Sequence, residues 1–242
     1  MTFVQSVKKE IQVERDSFWQ FPLVVAGLWV FGMVLGLIIT FASGENEEFV
    51  PMGFILALVG AVISIFFVGA QMHMGFKLAV GMGTTRKSYL GSYYAVSFLL
   101  CLECYVVAVC TILLDKAIWA LGFSHMKFLF SLPDYVPLFW WPIILVAAAA
   151  VSALAGAFFA ALIYKWGQKA FWILWSVWMI GFVLLPQLAS RWKDTAVAKF
   201  VFSIGGLLGA IPLWGWGVIA LSVLALMPLT TVLIMRKEAV RI

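Results

Sequence analysis

The sequence predicts an all-α protein that crosses a membrane several times, and three observations predict it. Six stretches are each apolar over the roughly 20 residues that a helix needs to span a hydrocarbon core. Hydrophobic residues make up 64% of the chain and charged residues 11%, far below the roughly 25% charged of a soluble domain. The basic residues are also shared unequally between the two alternating sets of connecting segments, as in a protein oriented by the positive-inside rule.

Residues 1–18 precede the first apolar stretch. Phe3, Val4, Val7, Ile11 and Phe18 recur at helical spacing, with Lys8, Lys9, Glu10, Glu14 and Arg15 between them. This reads as an amphipathic helix lying in the cytoplasmic interface. The apolar run that follows is too long for the h-region of a cleaved signal, so none is expected.

The first span is predicted over 21–42 and the second over 53–72, joined by an outer loop that carries Glu45, Glu47 and Glu48. Residues 73–92 then read HMGFKLAVGMGTTRKSYLGS, with Lys77, Arg86 and Lys87 and no acid. Gly81 and Gly83 are expected to break the helix leaving the second span. Thr84 or Thr85 can cap the helix entering the third. The result is a short elbow with Arg86 at its tip.

The third span, 93–114, holds Glu103, an acid in mid-span. A carboxylate at that depth costs about 2.5–3.5 kcal/mol on insertion scales, so it belongs inside the bundle, protonated, or both. A substrate-path or proton-relay group and a purely structural hydrogen-bonding group both fit. Cys101 and Cys104 share a helical face that excludes Glu103, and two thiols are half a zinc site, so no metal is expected. Cys110 makes the cysteine count odd, which excludes a disulfide framework.

Residues 115–139 form an outer segment made amphipathic by Trp119, Phe123, Phe128 and Phe130. The fourth span covers 140–164, the fifth 171–188 and the sixth 214–235. Between the last two, the Gly-rich stretch around Pro212 suggests a re-entrant pair of short helices, tolerable where its backbone is covered by protein or faces water. Gly32 and Gly36, and the stripe Ala149, Ala153 and Ala157, permit close helix approach. Trp19, Trp140, Trp141, Trp166, Trp172 and Trp214 fall near span ends, as an aromatic belt does.

Orientation follows from the bases. The N-terminal segment, the 73–92 and 165–170 connections and the C-terminus carry Lys8, Lys9, Arg15, Lys77, Arg86, Lys87, Lys165, Lys169, Arg236, Lys237 and Arg241. The opposite side carries Lys116, Lys127, Arg191, Lys193 and Lys199, so eleven and five make up the sixteen. The first side is predicted to be cytoplasmic. The net charge of +5 is thereby assigned to topology rather than to nucleic-acid binding. No Gly-Lys dipeptide occurs, so there is no Walker A loop, and HExxH and GxSxG are likewise missing. His73 and His125 fall on opposite predicted sides.

At Gly83-Thr84-Thr85-Arg86-Lys87, with Phe76 and Lys77 upstream, the chain resembles the permease subunits of bacterial type-2 ABC exporters of the six-span, Gram-positive kind. The motif covers about 12–15 residues. The order of an interfacial helix, six spans and a re-entrant segment before the last is similar over the whole chain. The resemblance implies a single permease domain over 1–242 with a type V ABC exporter-like fold in the bacterial cell membrane, both termini cytoplasmic. It implies a dimer with a second or homologous permease. It also implies a separate ABC ATPase that supplies ATP and Mg, this chain holding no cofactor and catalysing nothing. Phe76, Lys77, Gly81, Gly83, Thr84, Thr85, Arg86 and Lys87 would form the ATPase-coupling segment. The substrate would be amphipathic: an antimicrobial or other peptide, a lipid or a drug. A secondary transporter or channel is the alternative from the residues alone. It calls for paired intramembrane charges or inverted repeats, and neither is evident. A membrane enzyme or scaffold is a third class.

Overall fold

The computed structural model describes residues 3–43, 48–49, 51–81, 85–128, 137–180 and 212–237, with the isolated positions 203 and 210. The described elements are, in order, α1 (Phe3–Val13), α2 (Ser17–Ser43), β1 (Glu48–Phe49), α3 (Met52–Gly81), α4 (Arg86–Gly122) and β2 (Lys127–Phe128). A short 3-10 turn (Leu138–Trp140) leads into α5 (Trp141–Trp166), followed by α6 (Gln168–Trp178) and α7 (Leu213–Lys237). The protein is an all-helical polytopic membrane protein. Among the described residues five helices are long and apolar enough to span: α2, α3, α4, α5 and α7. Of the predicted fifth span, 171–180 are described, most of them in α6, which is 11 residues long, and 181–188 lie outside the described residues. So does the expected re-entrant stretch, apart from isolated positions and the start of α7.

Two compact units divide the chain, Met1–Ala157 and Phe158–Ile242. In the first, α2, α3 and α4 pack consecutively. Small residues set the distance between them. A Cβ on Gly32 of α2 would lie 2.5 Å from the Met52 carbonyl oxygen of α3, and one on Gly60 would lie 2.7 Å from Leu28. The α5 residues of this unit approach α3 in the same manner, since a Cβ on Gly156 would stand 2.8 Å from the Ile65 carbonyl oxygen. Ala149, Ala153 and Ala157 on that helix are buried. The small-residue stripes of the first and fourth spans are thus used for packing inside the unit. The Tyr105 hydroxyl and Ser152 Oγ, 2.9 Å apart, join α4 to α5.

Helix and span limits differ from one another in this unit. The expected 73–92 connection is mostly helix, because α3 runs on to Gly81 and α4 starts at Arg86. Hydropathy reports where the bilayer ends, and nothing in 73–81 forces the helix to stop there. The third span, expected over 93–114, belongs to a helix of 37 residues, about 55 Å long at 1.5 Å per residue. That is well beyond a hydrocarbon core of about 30 Å. At its far end α4 takes in the first part of the predicted outer segment. At the start of the chain, the helix expected over 1–18 is α1 alone. Residues 14–16 form a turn, with the Ser17 hydroxyl on a Glu14 carboxylate oxygen at 2.8 Å.

A small apolar cap closes the end of the bundle where α2 finishes and α3 begins. Met33, Phe49 and Met126 are its buried centre, with Trp29, Ile118, Trp119, Phe123 and Phe128 against them. β1 and β2 pair in parallel, Glu48 opposite Lys127 and Phe49 opposite Phe128. The Phe49 ring stacks on Phe123 at 5.4 Å and on Phe128 at 5.8 Å, and Trp119 Nε1 donates to the Met126 carbonyl. In the second unit, α7 contains Pro228, which supplies no N–H to the helix ladder. The Thr230 and Thr231 hydroxyls bond back to the Leu226 and Met227 carbonyls in the same turn.

Candidate functional site

Three polar features stand out against this apolar frame. The first is the elbow between α3 and α4. Thr85 is the N-cap of α4: its backbone is extended (φ −69°, ψ 143°), and its hydroxyl accepts the Ser88 N–H at 3.4 Å. Of the two threonines that the sequence offers, Thr85 holds the cap. Capping relieves one of the four N–H groups that a helix start leaves unpaired.

Immediately inside the elbow is a run of aromatic contacts. Phe76 near the end of α3 is fully buried and meets Tyr89 of α4 edge-on at 5.5 Å. Tyr89 stacks on Tyr93 at 6.0 Å, and the Tyr93 hydroxyl donates to the Val68 carbonyl of α3. Gly75 makes room for this brace, since a Cβ there would lie 2.9 Å from the Tyr89 hydroxyl oxygen. That oxygen is buried and has no hydrogen-bond partner. Lys87 is exposed. Lys77 and Gly81 lie in the last turns of α3 and Arg86 opens α4, while Gly83 and Thr84 lie outside the described residues.

α1 packs on the same stretch of α4. Ser6 is buried and hydrogen-bonded to Ser88, and the Phe3 ring covers Gly91, where a Cβ would come within 3.0 Å. Glu10 is half-buried on this side of α1. Burial, together with the charge of Glu14, pushes its carboxyl up to about 7. Val4 and Ile11 remain exposed on a flank of α1, the arrangement of a helix that also touches a lipid interface. Sequence periodicity identified the apolar flank of α1 but not its attachment to α4, which rests on a serine pair and a glycine.

The second feature is Glu103, midway along α4. It is half-buried, and its Oε2 is covered yet has no hydrogen-bond partner. Cys101 and Cys104, on the neighbouring face, are fully buried. Among the described residues no group of metal-binding side chains assembles.

The third feature is Asp115, which in the sequence stands only at the start of the outer segment 115–139. It is fully buried. One carboxylate oxygen accepts Trp29 Nε1 of α2 at 2.7 Å, and the other accepts the Phe54 backbone N–H of α3 at 2.8 Å. Pro51 precedes α3 and has no side-chain acceptor with which to cap it. Asp115 therefore caps α3 from a different helix, and a negative group suits that position at a helix N-terminus. With both oxygens committed, it is a structural post. A buried acid at the end of an apolar run, pairing with a tryptophan more than eighty residues upstream, has no signature in a single sequence.

Comparison with known proteins yields no matching family model, no matching curated protein and no matching solved structure.

Proposed function

We propose that this chain is the permease subunit of an ATP-binding cassette exporter in a bacterial cell membrane, paired with a second permease and driven by a separate ATPase. The single observation that carries the reading is the elbow. Two long helices meet through a capped break of a few residues, and an aromatic brace ties the break to both of them. A push delivered at the elbow is passed into α3 and α4 because Phe76, Tyr89 and Tyr93 leave no slack between the helices. The motif at 83–87 supplies the cationic contact, Arg86 forking onto a carboxylate or carbonyl of the ATPase. In this reading the N-terminus, the elbow and the C-terminus are cytoplasmic, and the cargo is an amphipathic peptide, lipid or drug.

The reading is tested by purifying the tagged chain from its native membranes. An ABC ATPase should co-purify with the wild type. Arg86→Glu and Gly83→Leu should lose it, or should keep it while transport and hydrolysis become uncoupled, with normal membrane insertion in both. If both variants retain the partner and full coupling, the elbow is an ordinary charged turn. The secondary-transporter reading then takes its place, with the unpartnered carboxyl of Glu103 as its best support.

A further inference from the structure

α1 and α4 run antiparallel where they touch. The Phe3 ring lies over Gly91 and Ser6 bonds Ser88, so a step forward on α1 is a step back on α4. One further turn along α1 carries Glu10 to the level of the elbow, where α4 starts at Arg86. The Cα–Cβ bonds of a helix tilt toward its N-terminus. Tyr89 therefore leans from α4 toward the elbow, and Glu10 leans from the elbow back along α1. The two side chains incline toward one another, and the Glu10 charge acts on the Tyr89 hydroxyl more strongly than that of Glu14 does.

Each of the two lacks a partner. The Tyr89 oxygen is buried over Gly75, which has no side chain to offer, and it makes no hydrogen bond among the described residues. A buried phenol normally finds one. Its polar neighbours are engaged elsewhere: Ser6 with Ser88, Ser92 with the Tyr89 carbonyl, Tyr93 with the Val68 carbonyl, and Glu14 with the Ser17 hydroxyl. The half-buried Glu10 carboxyl has no hydrogen bond or ion pair among the described residues. We propose that Tyr89 and Glu10 are the two halves of a latch between α1 and the elbow, closed when the phenol O–H donates to the Glu10 carboxyl.

The closed latch fastens α1 to the middle of the aromatic brace, because Tyr89 touches both Phe76 and Tyr93. The Ser6–Ser88 bond already sets the register, so closure takes a turn of the Glu10 side chain and no sliding of α1 along α4. With the latch open, the elbow moves without α1. With it closed, a displacement of the elbow carries α1 along, and α1 in turn stiffens the elbow. Every residue involved lies in the first unit. The latch regulates the elbow of the function proposed above and rests on its geometry, not on an ATPase.

Amide exchange in α1 of the full-length chain in detergent, taken at a single pH, reads how firmly α1 is seated. Tyr89→Phe removes one oxygen and leaves the ring stack, so it should speed that exchange about fivefold, the size of one net hydrogen bond. The same step should matter as much in Glu10→Gln, whose amide oxygen still accepts. It should have almost no effect in Glu10→Met, similar in length but with only a weakly accepting thioether. Unchanged or slower exchange in Tyr89→Phe would overturn the latch, since deleting an unsatisfied buried hydroxyl is neutral or favourable. Equal acceleration in the Glu10→Met background would overturn it too, because the hydroxyl would then act through another group. Where Tyr89→Phe does not fold, the two Glu10 variants decide: faster exchange in Glu10→Met than in Glu10→Gln supports the latch, and equal rates overturn it. ATPase co-purification is read on the same preparations. Its loss with the exchange pattern intact counts against the coupling reading alone, and the reverse counts against the latch alone.

Discussion

Asp115 and Glu10 show how differently two acids can be placed at the ends of one bundle. Asp115 has both oxygens engaged by neutral N–H donors from two other helices. Truncation leaves both donors buried without an acceptor, each costing about 1–3 kcal/mol. Asp115→Ala should therefore lower the thermal midpoint of the detergent-solubilised protein markedly, by the equivalent of about 3 kcal/mol. Asp115→Asn keeps one acceptor and should lose about half as much. Size-exclusion survival after heating measures both, and equal stability of all three proteins would remove Asp115 as a helix post. Glu10 sits under the reverse condition, its carboxyl raised to about 7 by burial and by Glu14. A carboxyl raised on folding binds its proton more tightly in the folded state, so its docking is favoured at low pH. That advantage is lost as pH climbs from about 4.5 to about 7. Solvent contact screens the effect to about 1 kcal/mol. Amide exchange in α1, corrected for its intrinsic pH dependence, should show more protection at pH 5 than at pH 8, and Glu10→Gln should flatten the difference. The sequence pointed to Glu103 because an acid inside an apolar run is conspicuous. Asp115 escaped because it stands at the edge of such a run, where acids are ordinary.

At the scale of elements, hydropathy placed α2, α5 and α7 closely. In α3 and α4 the helices outlast the apolar stretches 53–72 and 93–114. Helix continuation depends on backbone bonding and on neighbours, and the 73–81 segment gains both by packing Phe76 on Tyr89. The end of α3 at Gly81 and the Thr85 cap of α4 were legible, since a glycine and a threonine there each have a local backbone reason. The seating of α1 was not, because it depends on contacts across more than eighty residues. Helix approach in the first unit gives a paired test. Gly32→Ala places a methyl 2.5 Å from the Met52 carbonyl oxygen, whereas Gly27→Ala places one in open space. The first should cost about 1–3 kcal/mol through displaced backbone. The second should be neutral or gain up to about 1 kcal/mol of helix propensity. Equal thermal midpoints in the two variants would mean that α2 and α3 do not approach as closely as their glycines allow.

For the whole molecule, the contacts of the first unit constrain sidedness before any charge is counted. α1 and the start of α4 are joined through Ser6 and Ser88, so Lys8 and Lys87 stand at one end of the bundle. β1 and β2 are paired through Glu48 and Lys127, so these two stand together at the other end, one length of α4 away. The fold therefore predicts which positions share a side, and the distribution of bases predicts which side is cytoplasmic. Single cysteines at 8, 87, 48 and 127 in a cysteine-free background would be treated with a membrane-impermeant maleimide on intact cells and again after lysis. Positions 48 and 127 should react on intact cells. Positions 8 and 87, exposed in the fold, should react only after lysis. Reversal of both pairs together would invert the orientation and put the elbow out of reach of a cytoplasmic ATPase, while leaving the fold intact. A split within either pair would contradict the packing of α1 on α4 or the pairing of β1 with β2, so the experiment separates an error of orientation from an error of structure.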